Sequence, residues 1–331
     1  MKEWLVGTYT VDMDGAADGI ETLSSRPDGS LQSVGLAVTA DSPSFVRASA
    51  VAVYAVSEAT GELVAYVRGP GTELVETSRA SSGGEAPCHI GVYGSVAIVS
   101  NYVSGTLGVL TLDPLELVQV LDAEGSGPHE AQDGPHAHST VRLASGLIVS
   151  ADLGADRLHV HSFDEHSLDE RSLDGDSPVL TRISSVELPA GTGPRDVRQL
   201  ASNRILVLGE LSSELLLLDE SLDVLATTRI PGSQPGDHAA GISVWGDLVY
   251  VTLRGSNRIG VLRIDGDELV AVADVSSEGD WPRHHVIDGD VLHVANQLSS
   301  TVASFGIDEA GIPRIIAKPI PVFSPTYLER F

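Results

Sequence analysis

Apolar residues along this chain fall in short runs broken by Gly, Ser, Asp and Asn, and the pattern returns. Runs such as VAIVSN (96–101), LIVSAD (147–152), ILVLGE (205–210), LVYVTL (248–253) and VLHVAN (291–296) are each followed by a polar turn. A second run then follows, such as TLGVLTL, RLHVHSF, ELLLLD, RIGVLRI or TVASFGI. β-Branched and apolar stretches of this length between turn formers predict strands joined by hairpins. No long stretch carries a helical period.

Ahead of each pair stands a short opening segment. The clearest openings begin at Pro87, Pro135 and Pro282, and weaker ones at Pro43, Pro194 and His238. A last opening, SPTYLERF from Ser324, resembles SPSFVRAS from Ser42 and then runs out of chain; its continuation is EWLVGTYT, from Glu3. The openings recur every 43–48 residues, except for 59 between Pro135 and Pro194. That interval contains DEHSLDERSLDGDSP (164–178), whose polarity predicts an inserted outer loop.

A period in the forties marks a closed array of small sheets, and four-stranded antiparallel sheets repeated radially make a β-propeller. Six internal copies and one split copy predict an all-β, seven-bladed β-propeller, with residues 1–331 as one domain. The C-terminal segment supplies the inner strand of the split blade and the N-terminal segments supply the others, so no sheet edge stays open there. Because successive strands run antiparallel, inner-strand starts and second-strand ends share one face of the ring. The inner-strand starts include Cys88, His89, His136, His138, Arg195 and Arg283. The second-strand ends include Tyr9, Glu58, Asn101, Asp152, Glu210, Arg254 and Gln297. Turns on the other face (YGS, ASG, WGD, DGD) have the composition of plain connections.

Charge sharpens this picture. The 331 residues carry 46 acidic and 20 basic side chains, a formal charge of −26, which disfavours nucleic acid as a partner. Arginines converging on one cavity of so acidic a chain would point to an anionic ligand. No apolar run approaches the roughly 20 residues of a membrane helix. The single cysteine, Cys88, excludes an intrachain disulfide and suits a reducing compartment. With MKEWLVGTYT entering a strand pattern at once, the expectation is a cytoplasmic protein, monomeric or a weak homodimer, with no membrane association.

Several side chains suit chemistry. His136 and His138 are two apart and would share one side of a strand, as a proton carrier, a hydrogen-bonded structural pair or a zinc-binding His-x-His. Arg195, Arg254 and Arg283 offer donor forks for carboxylate or phosphate, or for ring carboxylates. Glu210 ends an apolar run. Burial would raise its pKa towards that of a base, whereas arginine pairing would keep it ionised. Cys88 and His89 are neighbours that a strand would point to opposite sides, so Cys88 reads as packing. GTG (191–193) reads as a turn, and neither GxSxG nor a P-loop occurs.

Taken in order, PCHI, SNYVSGTL, GPHAHS, ADLGADRLHVH, GTGPR, GEL, VYVTLRG, PRHH and VANQLSSTVASFGID cover nearly the whole chain. Together they resemble the bacterial seven-bladed lactonase family, which includes propeller-type 6-phosphogluconolactonases and is related to carboxymuconate lactonizing enzymes. The resemblance implies a metal-independent, cofactor-free site at the channel mouth. Its catalytic set would be His138 (or His136), Arg195, Glu210 and Arg254, with Arg283 as a further ligand-facing cation. His136, Asn101, Asp152, His89 and Gln297 complete the expected substrate-binding ring. This chain departs from the family's pattern at Ala131, Asp196, Gly209, Gly241 and Leu253. The activity implied is hydrolysis of a small anionic sugar lactone, 6-phosphoglucono-δ-lactone foremost. The alternatives are a cycloisomerase acting on a carboxymuconate and a non-catalytic binding propeller. The 5% aromatic content counts against the last.

Overall fold

A computed structural model describes residues 2–164 and 179–331; the expected outer loop, beyond its first residue, lies outside them. The strands form seven antiparallel sheets. Their inner strands are Val46–Ala48, Pro87–Tyr93, Ala137–Arg142, Pro194–Gln199, His238–Trp245, Pro282–Asp288 and Pro325–Arg330. Each inner strand touches the next, and the last touches the first, so the ring is closed. Closure follows the split-repeat expectation: Pro325–Arg330 pairs with Glu3–Thr8, Trp4 facing Arg330 and Val6 facing Leu328.

Six sheets have four strands. In the seventh, Pro313–Ile315 and Ile320–Pro321 both pair with Thr301–Ile307, so that outer edge is shared by two short strands. The one helical turn among the described residues is Val11–Met13. Among the described residues, no helix is long and apolar enough to cross a membrane.

The core lies between neighbouring blades. Leu206, Leu208, Leu215 and Leu217 pack on Val249, Val251 and Leu253 of the next sheet, and Trp4 and Leu23 pack on Ala295 and Val302. A middle strand is covered by blades on both sides, which is why runs such as Ile205–Gly209 are buried throughout and lack the in–out alternation of a one-sided sheet. Each fully buried aliphatic side chain contributes about 1.5–3 kcal/mol. On the face away from the expected site, Gly94, Gly246 and Gly289 take φ of 66°, 63° and 69°, a left-handed turn that glycine adopts freely.

Candidate active site

The inner strands do not alternate cleanly where they begin. Pro87 faces Asn101 and His89 faces Ser100, which leaves Cys88 unopposed. The same slip leaves His138, Arg195, Arg283 and Thr326 unopposed in their sheets. In His238–Trp245 it leaves Ala240 and Gly241 between paired Ala239 and Ile242. Six of the seven inner strands thus open on a β-bulge, a device that bends a strand and re-aims a side chain. Left-handed residues precede the opening prolines at Ser42, Ala86, Trp281 and Ser324, with φ of 38°, 52°, 63° and 39°. Such a conformation costs a non-glycine residue about 1–3 kcal/mol and persists only where the surroundings enforce it.

The bulges turn Cys88, His138, Arg195, Ala240, Arg283 and Thr326 towards one cavity in the channel. The next residue in each strand lines it too, including His89, Asp196 and His284. This corrects two expectations drawn from strict alternation. Cys88 and His89 do not part to opposite sides; both reach the cavity. His136 and His138 do not share a strand face, because His136 precedes the strand. The His136 ring stacks on Tyr102 at 4.5 Å, with Nδ1 2.8 Å from the Tyr102 carbonyl and Nε2 3.1 Å from Asp133. His138 meets the same Tyr102 edge-on at 5.9 Å.

Glu210 lies in a cluster of cations. Its Oε2 contacts Arg195 Nη1, and its Oε1 lies 2.7 Å from Arg254 Nη2 and 3.3 Å from His238 Nδ1. Burial alone would push this carboxyl up, but Arg254 and Arg195 outweigh it and hold its pKa well below the usual range. Of the two readings of Glu210, the geometry selects the permanently paired carboxylate over the proton-accepting one. Arg195 Nε donates to the Ala240 carbonyl at 2.7 Å. Arg254 donates to the carbonyls of His238 and Ala239 and lies 5.6 Å above the Trp281 ring. Burial lowers its pKa to about 10, with Glu210 opposing the fall, so it stays charged at neutral pH. Burial, and then Arg195, push His138 well below its ordinary value and leave a neutral imidazole.

A second cluster spans the closure. Arg283 Nη2 donates to Tyr9 Oη at 2.5 Å, its guanidinium lies 4.7 Å from the ring centre, and Nη1 reaches Gln297 Oε1 at 3.4 Å. Tyr9 donates in turn to Glu58 Oε1 at 2.8 Å. Burial pushes the Tyr9 phenol up, so it remains a donor. Burial works against the Arg283 charge, yet nearby Tyr9 and Glu58 raise its pKa. Glu58 Oε2 is buried with no partner. Sequence reasoning placed Glu58 in the ring only as an ion-pair partner. The available signal was its position: Tyr9 and Glu58 each follow the last residue of corresponding strands in adjacent blades.

The remaining candidates divide. His89 lines the cavity, tilted against Phe45 at 4.8 Å, and burial lowers its pKa strongly. Asn101 is fully buried and donates to the Ser82 carbonyl, as Asn296 does to that of Ser277. A Cβ on Gly84 or Gly279 would fall within 3 Å of those Asn side chains, so each Asn fastens the loop entering an inner strand. Asp152 accepts from the backbone N–H of His136, Gly154 and Ala155, again as a loop clamp. Among the described residues, no group of three or more His, Cys, Asp or Glu side chains is placed to hold a metal ion.

A family model described as a seven-bladed β-propeller lactonase matches residues 3–329. This chain belongs to that lactonase family. The 6-phosphogluconolactonase of Bacillus subtilis is 28% identical over 350 residues, covering 96% of each chain. Among solved structures, a candidate 6-phosphogluconolactonase of Bacteroides fragilis superposes with a TM-score of 0.90 at 24% identity, over 100% of this chain and 98% of that one. The periplasmic gluconolactonase of Pseudomonas aeruginosa gives 0.89 at 24% identity, over 99% and 98%. In this lactonase ring, the catalytic set implied by the motifs occupies adjacent inner-strand starts and second-strand ends on one face, as the repeat geometry requires.

Proposed function

We propose that this chain is a lactone hydrolase whose substrate is 6-phosphoglucono-δ-lactone, opened to 6-phosphogluconate. One observation carries the reading. A neutral histidine, His138, and a cation anchored on both sides, Arg195, line the same cavity in the channel. Family membership and the Bacillus subtilis relative support the same reaction class.

The chemistry follows from those two groups. A water oxygen attacks the lactone carbonyl carbon while His138 accepts the water proton. Arg195 faces the oxyanion that develops, an electrostatic contribution of about 3–4 kcal/mol per donor in related chemistry. Collapse breaks the ring C–O bond, and His138 returns its proton to the departing oxygen, leaving a carboxylic acid and a hydroxyl. Glu210 takes no proton in this scheme. With Arg254 and His238 it fixes the Arg195 fork, and Arg283, fixed by Tyr9 and Gln297, is a second cation for the substrate. We read the compartment as cytoplasmic, on the lone Cys88.

The test is turnover of 6-phosphoglucono-δ-lactone above its spontaneous hydrolysis, with a carboxymuconate assayed beside it. Lactone turnover is the expected result. Turnover of the muconate alone would overturn the hydrolase reading in favour of a cycloisomerase, which needs similar cations.

A further inference from the structure

The cavity beneath the bulges is small, about 60 Å³. A water needs about 10–15 Å³ of such space, so this throat admits a tetrahedral anion with a few waters but not a sugar ring. Its lining is unusual for a chain of formal charge −26. Arg195, Arg198 and Arg283 face one carboxylate, Asp196. Glu210 and Glu58 stand behind the arginines and not on the wall. Burial holds the lining histidines His89, His138 and His284 well below their ordinary pKa, so they add no charge at neutral pH.

Arg198 marks the floor. It lines both the throat and a wider cavity of about 820 Å³ that opens at the other end of the channel, and His284 and Tyr327 are shared in the same way. Its hold on Asp196 is loose: Nη2 reaches Oδ2 only at 3.4 Å, and Nε, 3.4 Å from Oδ1, is buried without a hydrogen-bond partner. Asp196 Oδ2 is already occupied by the backbone N–H of Ile242 at 3.0 Å. The other throat arginines are tied, Arg195 to Glu210 and Arg283 to Tyr9. Arg198 is therefore the lining cation with most donor capacity unspent. Three residues of strand separate it from Arg195, about 10 Å. Both side chains reach the same cavity, and in the δ-lactone the carbonyl carbon and the carbon bearing the phosphate arm flank the ring oxygen, so both groups leave one edge of the ring.

We propose that the substrate binds tail-down. Its phosphate enters the throat and is received by Arg198, while the lactone ring stays at the mouth with its carbonyl between Arg195 and His138. The proposal rests on the lactonase reading and adds an orientation and a specificity residue to it. A planar, permanently charged donor fork suits a phosphate.

The experiment compares kcat/KM for 6-phosphoglucono-δ-lactone and unphosphorylated glucono-δ-lactone in the wild type, Arg198→Ala and Arg198→Lys, with thermal melts to check folding. Arg198→Gln substitutes if the alanine variant melts early. Arg198→Ala is expected to lower the ratio of phosphorylated to plain substrate at least tenfold, through KM, and to weaken competitive inhibition by inorganic phosphate. Arg198→Lys should recover part of both. A folded variant with an unchanged ratio overturns the tail-down orientation and leaves the lactonase reading standing. A wild type that turns over neither lactone removes both.

Discussion

Glu210 and Glu58 occupy corresponding places, just past the second strand of their blades on the same face, and the ring treats them in opposite ways. Glu210 has both oxygens engaged by Arg195, Arg254 and His238. Glu58 has one oxygen on the Tyr9 hydroxyl and the other buried without a partner. A blade position decides where a carboxylate stands, whereas the neighbouring blades decide what it can do. Beside two guanidinium groups a buried carboxylate becomes a permanent countercharge; beside a phenol that bridges to Arg283 it becomes the end of a relay holding one cation.

Neutralising each carboxylate measures the difference. Glu210→Gln strands two buried guanidinium groups, and the loss of one partner of a buried pair costs about 3–5 kcal/mol. Denaturant unfolding should show a loss of that size, with turnover down at least a hundredfold. Glu58→Gln keeps an oxygen for the Tyr9 hydroxyl, so its stability should change by only about 1 kcal/mol, with a rise in KM as Arg283 loosens. Equal destabilisation of the two variants would abolish the distinction.

Next in size is Arg195→Ala, for which loss of one oxyanion-facing donor should cost about 100- to 1000-fold in kcat. Glu210 keeps Arg254 and His238 as partners in this variant, so its melting temperature should fall less than that of Glu210→Gln.

Acid stability separates carboxylate from histidine. Burial lowers His285 and His293 to about 4 each, against about 6.5 unfolded. The unfolded chain binds more protons between those values, so stability falls with pH there, by about 2 kcal/mol per residue between neutrality and pH 5. Glu210 acts in the same direction at lower pH. Its depressed pKa contributes stability above the ordinary carboxylate value, and that stability is lost only as pH falls below it. Urea unfolding at stepped pH should show loss beginning near pH 6.5 and steepening below about 4.5. In Glu210→Gln the lower step should be reduced and the upper one retained.

The smallest effect belongs to Cys88. Its thiol lies 3.6 Å from the His138 carbonyl, and burial raises its pKa to about 12. Cys88→Ser should change turnover less than threefold, and mass spectrometry after iodoacetamide should find the folded protein unlabelled.

Much of this ring was legible in the residues because strands and hairpins are local. Turn glycines such as Gly94 and Gly289 announce themselves, and the fragment from Ser324 needs a partner that only Glu3–Thr8 supplies. Placing Arg195, Glu210 and Arg254 on one face required only antiparallel order. The bulges were not legible. A register slip belongs to two strands at once, and PCHI or PRHH looks the same with or without it. That is why strict alternation puts Cys88 with His89, and His136 with His138, on the wrong sides. Nor does a single blade reveal that Asn101 and Asp152 are spent on their own loops, since both look like ring polar residues until the loop that each clamps is in place. The Glu58–Tyr9–Arg283 relay crosses the closure between the two ends of the chain, 274 residues apart for Tyr9 and Arg283, where no spacing rule reaches.

The most direct test is kcat/KM for 6-phosphoglucono-δ-lactone in His138→Gln beside the wild type at neutral pH, corrected for spontaneous opening. If the bulged histidine accepts the water proton, the variant should lose at least a hundredfold while its melting temperature stays near that of the wild type. A folded His138→Gln within threefold of wild-type turnover would contradict the role of His138 as proton acceptor.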